Sequence, residues 1–118
     1  MKTILIIEDD IDLREGISFS LQSEGYRILT AEKLEDGWKS ILKENPDLIL
    51  LDCNLPDGTG FDLCIRVKEH MQVPILMLTA RDTEMDEVKA LELGMDDFMS
   101  KPFSLAVLKA RIKKLLLK

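Results

Sequence analysis

The chain has 118 residues, 46% of them hydrophobic and 32% charged, with a mean hydropathy near zero; this is one domain of soluble globular composition and excludes a disordered chain. A net charge of -6 disfavours generic binding to phosphate backbones or anionic lipid. The longest apolar runs, such as Ile4 to Ile7 and Leu48 to Leu51, fall far short of the roughly 20 residues a bilayer span requires, and Glu8 interrupts too early for a secretory signal. In chain order, Thr3 to Ile7 reads as a strand, and Leu13, Gly16, Ile17, Ser20 and Leu21 then recur with helical spacing until Gly25 stops the helix. Arg27 to Thr30 reads as a second strand. A helix follows with Leu34, Trp38, Ile41 and Leu42 on one face, ending at Asn45-Pro46. Leu48 to Leu51 is apolar at every position, the pattern of a strand buried on both faces. Gly58-Thr59-Gly60 marks a loop, and Phe61, Cys64, Lys68 and Met71 open a third helical face. Pro74 introduces the strand Ile75 to Leu78, another helix runs to about Gly94, and Phe98 to Ser100 is a short last strand. Ser104 caps a final helix bearing Leu108, Ile112 and Leu115.

Five strands alternating with five helices predict an α/β, doubly wound fold: a parallel sheet covered on both sides, because parallel strands need crossover connections. In such sheets ligands bind beyond the carboxyl ends of the strands. Those ends carry Glu8-Asp9-Asp10 after strand one, Asp52 after strand three, Thr79 after strand four and Lys101 after strand five. Two carboxylates about 5 Å apart repel by roughly 3 kcal/mol at an effective dielectric near 20, so a cluster of them destabilises the empty fold. Its use is then to hold a hard divalent cation, and oxygen ligands without histidine or thiolate favour Mg²⁺ or Mn²⁺. The alternative, that Glu8 to Asp10 is only a solvated turn, leaves unexplained why Asp52 closes an apolar strand. Carboxylate, cation, hydroxyl and lysine together suit phosphoryl transfer to Asp52.

The same residues carry a resemblance. IIEDD at 6–10, LLDCNLPDGTG at 50–60, LTAR at 78–81 and KPF at 101–103 resemble the receiver domain of two-component response regulators, in order and over essentially the whole chain. The resemblance implies a flavodoxin-like strand order 2-1-3-4-5, with Asp52 the phosphoacceptor that takes its phosphoryl group from a sensor histidine kinase. It makes Asp9 a direct Mg²⁺ ligand, Glu8 an acidic neighbour acting largely through water, and Asn54 the source of a backbone carbonyl in the metal shell. Asp10 matches no invariant role. Thr79 matches the switch hydroxyl, and Lys101 the invariant lysine, whose bond to Pro102 is cis in the family. Phe98 matches the switch aromatic; the other reading is a core phenylalanine. Many relatives have Tyr there, so no phenolic hydrogen bond is available here. Asn54 and Arg81 lie where family members tune phosphoryl lifetime.

Among receivers, residues 78–116 most resemble the OmpR/PhoB transcription factors, whose fourth helix, fifth strand and fifth helix form a phosphorylation-dependent homodimer. Asp97 with Arg111, and Asp96 or Glu92 with the Lys113 region, match its intersubunit ion pairs around an apolar patch including Val88 and Leu91. Glu87 and Val107 depart from the usual charges, which predicts a weaker or altered dimer. The resemblance favours an excised regulatory fragment over a stand-alone receiver, with 1–118 the receiver, no second domain in this chain, and DNA contacted only through an absent output domain. Trp38 reads as helix core beside Leu34 and Leu42. Cys53 and Cys64 suggest neither zinc nor a disulfide framework, and a redox role for Cys53 lacks a basic neighbour; a reducing cytoplasm is the expected location. Two rival classes remain. A flavodoxin-type carrier would set its cofactor phosphate against Glu8-Asp9-Asp10, which repel it, and a haloacid-dehalogenase-like phosphatase would use Asp10-Ile11-Asp12 but leave Asp52 without a role.

Overall fold

In the computed structural model, residues 1–80 and 84–117 are described, with side chains at all of these except 84–86. Arg81 therefore lies outside the described residues. Strands β1 (Thr3–Ile7), β2 (Arg27–Ala31), β3 (Leu48–Asp52), β6 (Ile75–Thr79) and β7 (Asp97–Ser100) form one sheet in the order β2-β1-β3-β6-β7, and every pairing in it is parallel. Helices α1 (Ile11–Ser23), α2 (Leu34–Glu44), α3 (Gly60–His70), α4 (Glu84–Glu92) and α5 (Leu105–Leu116) make the crossovers and the last covering layer. This is the doubly wound α/β architecture, and its strand order is the one the family resemblance implies.

The period-two alternation of a strand sends successive side chains to opposite faces, so an unbroken apolar run feeds two cores at once. Leu5, Ile7, Ile49, Leu51, Ile75 and Met77 pack with Leu34, Trp38, Ile41, Phe61 and Val67 beneath α2, α3 and α4. Ile4, Ile6, Leu48, Leu50, Leu76 and Leu78 pack with Ile17, Leu21, Leu108 and Ile112 beneath α1 and α5. Complete burial of a Leu or Ile is worth about 1.5–3 kcal/mol, so these two layers dominate stability.

Several local expectations change in the packed molecule. Leu42 is 55% exposed, whereas Gly37 is buried. The inward face of α2 is the i, i+3, i+4, i+7 set Leu34, Gly37, Trp38 and Ile41, so Leu42 lies past its edge. A Cβ at Gly37 would come within 2.5 Å of the Ile7 side chain, a close approach that periodicity of large residues does not register. Gly58-Thr59-Gly60 is more than a loop: β4 (Asn54–Leu55) and β5 (Gly58–Thr59) form a small antiparallel hairpin, and Gly60 begins α3. On α3 the buried set is Phe61, Leu63, Cys64 and Val67; Lys68 and Met71 are only half-buried. Lys68 directs its ammonium to the Val73 carbonyl at 3.0 Å and to Asp96 at 3.2 Å.

Candidate functional site

The carboxyl ends of the strands lie along one edge because all five run the same way. β1 ends before Glu8, β3 ends at Asp52, β6 at Thr79, and Lys101 follows β7. Glu8 is 3% exposed, Asp52 7% and Thr79 fully buried, while Asp9 is exposed. Glu8, Asp9 and Asp52 each offer a carboxylate oxygen, and these oxygens lie within 4.8 Å of one another, a group that could hold a metal ion. Donors of oxygen alone at that separation fit a hard divalent cation.

The ammonium of Lys101 hydrogen-bonds the Glu8 carboxylate directly and stands 3.5 Å from Asp52 Oδ2. Burial alone would depress its pKa, but the Glu8 hydrogen bond and the charges of Asp52 and Glu8 outweigh that and hold it above the ordinary lysine value. Thus one internal cation partly neutralises the acidic cluster. The backbone of Lys101 is fixed as well: its N–H donates to the Thr79 carbonyl at 2.7 Å, and its bond to Pro102 is cis, as the resemblance implies. The Asn54 N–H donates to Asp52 Oδ1 at 3.3 Å, which turns the chain after β3 across the Asp52 carboxylate. A groove of about 690 Å³ runs beside the edge between α1 and the start of α5, lined in part by Asp10, Leu13, Gly16, Lys101 and Phe103.

A profile of the response regulator receiver domain matches residues 4–113. The chain belongs to this family. The receiver is 44% identical over 116 residues to the transcriptional regulatory protein AfsQ1 of Streptomyces coelicolor, covering 98% of this chain and 52% of that protein. It thus spans about half the length of that relative. Among solved structures it is similar to the BeF₃-activated N-terminal receiver domain of RstA from Klebsiella pneumoniae, with 32% identity, a TM-score of 0.95, and coverage of 99% of this chain and 100% of that one. A two-component response regulator from Clostridium difficile matches with 31% identity and a TM-score of 0.96, over 100% of this chain and 98% of that one. Neither the flavin-carrier nor the phosphatase reading survives this membership.

Other residues singled out from the sequence occupy different surroundings. Phe98 is 9% exposed and packs in the core layer under α2, α3 and α4. Arg111 pairs with Asp97 at 3.0 Å within the chain, and Asp96 accepts from the Ile75 N–H at 2.8 Å as well as from Lys68. Val88, Leu91 and Val107 are exposed, as are Glu87, Glu92 and Lys113. Cys53 is fully buried, and burial pushes the Cys64 thiol up to about 11, with Lys68 opposing and Asp96 reinforcing, so the thiolate is disfavoured. Among the described residues no helix is long and apolar enough to cross a membrane.

Three contributors were missed from the sequence. Asp10 is the N-cap of α1, its carboxylate accepting from the Leu13 N–H at 3.1 Å, and its own N–H donates to Glu8 Oε2 at 3.2 Å. An Asp just before a periodic run is a legible cap signal. Asp57, in the β4–β5 turn, accepts from the Leu34 and Glu35 N–H groups at 2.8 and 3.1 Å, capping α2 where Lys33 provides no side-chain cap. Although what burial it has raises its pKa, those two backbone donors, with its own N–H and the charge of Lys33, outweigh this and hold the carboxyl below its ordinary value. Twenty-two residues separate Asp57 from Glu35, so no local pattern announces this cap. Gly60 approaches the Asp52 backbone so closely that a Cβ would come within 2.5 Å of the Asp52 carbonyl oxygen.

Proposed function

We propose that this receiver accepts a phosphoryl group on Asp52 from the phosphohistidine of a sensor histidine kinase, in a reaction that depends on Mg²⁺, with Mn²⁺ as substitute. The observation that carries this reading is the convergence of the Glu8, Asp9 and Asp52 carboxylates within 4.8 Å, with the Lys101 ammonium on Glu8 and beside Asp52. Side chains of Glu8, Asp9 and Asp52, with the backbone carbonyl of Asn54, would hold the cation, which when bound supplies positive charge against the oxygens of the transferring group. An oxygen of Asp52 forms the new P–O bond as the P–N bond of the donor breaks, leaving an aspartyl phosphate and a histidine. Lys101, already shared between two carboxylates, neutralises a phosphoryl oxygen, and the Thr79 hydroxyl donates to another.

The switch reading follows from the same edge. Thr79 turning towards the phosphoryl group would leave space that inward packing of Phe98 fills, altering the α4, β7 and α5 surface. That surface, with Val88, Leu91, Glu92, Asp96, Asp97, Arg111 and Lys113, would join two copies as a homodimer. Both Asp97 and Asp96 have partners inside the chain, so dimerisation has to exchange or share those pairs, and Glu87 and Val107 supply no bridge. The output would be transcription through a DNA-binding domain outside this chain, a reading supported by the likeness to AfsQ1, a transcriptional regulatory protein. The kinase partner places the work in the cytoplasm.

Intact mass after incubation with acetyl phosphate and Mg²⁺ tests the core claim. The receiver should gain one phosphoryl group, and Asp52→Asn should gain none while keeping its fold. Stoichiometric labelling of the asparagine variant would overturn the assignment. Lys101→Ala should still label but lose the conformational response, and sedimentation of the beryllofluoride-loaded receiver should give a dimer weaker than that of relatives with the full set of bridges.

A further inference from the structure

Arg14 lies in the first turns of α1 and faces back towards the turn that presents the acidic residues. Its side chain is 12% exposed. Nη1 donates to the Glu8 carbonyl at 2.8 Å and Nη2 to Glu32 Oε1 at 3.1 Å. Glu8 follows β1 and Glu32 follows β2, and the two exits are already tied by the Glu8 N–H donating to the Ala31 carbonyl at 3.0 Å. One planar guanidinium thus joins two neighbouring strand ends to the helix between them, a two-acceptor geometry that a lysine cannot reproduce.

The bonded carbonyl belongs to the peptide unit linking Glu8 to Asp9. That unit is planar, so holding its oxygen fixes the direction in which the chain enters Asp9. The other two carboxylates have separate restraints: Glu8 is buried against Lys101 and the Asp10 N–H, and Asp52 is buried at the end of a central strand. Asp9 is exposed, so its placement depends on the backbone beneath it.

We propose that Arg14 is the positioning residue of the acidic cluster: through the Glu8 carbonyl it orients the Glu8–Asp9 peptide and so sets the reach of the Asp9 carboxylate towards a divalent cation shared with Asp52. The inference rests on the cation-binding reading given above and extends it to a residue outside the ligand set. The charge of Arg14 works the other way. A positive group near a cation site opposes binding, so a purely electrostatic role predicts tighter binding when Arg14 is neutralised. Positioning predicts weaker binding, and the two roles therefore differ in sign.

The test is Mn²⁺ titration of the intact chain, followed by the paramagnetic resonance of free Mn²⁺ with no phosphoryl donor present. Circular dichroism establishes that each variant is folded. Arg14→Ala should bind about tenfold more weakly, within the range known for lost outer-shell partners of metal ligands. Arg14→Lys should recover part of that loss and remain about threefold weaker than the parent, and it carries the test if the alanine variant does not fold. Glu32→Gln should stay within about twofold, since an exposed partner contributes little. The decisive arm is the double variant: in an Asp9→Asn background the Arg14 substitution should have no further effect, because the residue acts through Asp9. An equal loss in both backgrounds, or binding by the Arg14 variants equal to or tighter than the parent, would overturn the proposal. A parent that binds no Mn²⁺ would instead overturn the cation reading itself, and this inference with it.

Discussion

Strand β3 contains both extremes of the molecule. Leu48 to Leu51 are at most 1% exposed and pack into apolar clusters on two faces, whereas the next residue, Asp52, is 7% exposed among carboxylates. The first stretch is where every local choice agrees with the fold. The second is where a charge that disfavours the fold is retained, with Lys101 as its internal counter-ion. The apolar run and the acidic edge are thus separated by one peptide bond, and substitutions in these two regions should differ in sign.

The largest stability effect belongs to the apolar side. Leu50→Ala should lower the unfolding free energy by roughly 2–5 kcal/mol, measured by urea denaturation, because the cavity cannot collapse between the sheet and the packed helices α1 and α5. A loss below about 1 kcal/mol would mean that those helices are less tightly joined to the sheet than the burial implies. Gly60→Ala comes next. Its new Cβ meets the Asp52 backbone carbonyl first, ahead of the Met77 and Leu51 side chains, so overpacking should remove about 1–3 kcal/mol and slow acetyl phosphate labelling by displacing Asp52. Normal labelling by this variant would show that the hairpin can shift independently of the site.

Asp57→Ala should remove about 1 kcal/mol, the usual contribution of a helix cap. The sign with pH follows from its lowered pKa. A carboxyl depressed in the folded state contributes stability in full above its unfolded value near 3.9, and loses it as pH falls through the folded value. The difference between parent and Asp57→Ala should therefore be constant near neutrality and shrink below about pH 4. A difference that grows on acidification would contradict the capping account. The smallest effect is on the charged side. Asp9→Asn should stabilise the metal-free receiver by about 0.5–1 kcal/mol, the Coulomb repulsion discounted for exposure, and the advantage should vanish when Mg²⁺ is added. A lower melting temperature for this variant in chelator would remove the repulsion argument.

Much of this was legible in the sequence because the signals are local or periodic. Apolar runs of both parities at Ile4 to Ile7, Leu48 to Leu51 and Ile75 to Leu78 require burial on two faces, and the parallel α/β sheet follows from helices between them. Once all strands point one way, Glu8, Asp9, Asp52, Thr79 and Lys101 fall at one edge without further information. What escaped reading depends on close approach or on distant partners. Gly37 carries no side chain to count, yet it brings α2 against Ile7, while Leu42, in helical register with that face, is exposed. The Asp57 cap and the bridge from Arg14 to Glu32 join residues that only the folded topology makes neighbours.

Hydrophobic period, strand direction and the residue types at the strand ends were therefore determined by the linear chain, since each depends on spacing of a few residues. The tertiary structure alone decided which charges neutralise each other. Lys101 lies 93 residues from Glu8, and it reaches that carboxylate and Asp52 because β7 follows β6 and β3 across the sheet. Coulomb energy depends on distance in space, and sequence separation carries no record of it.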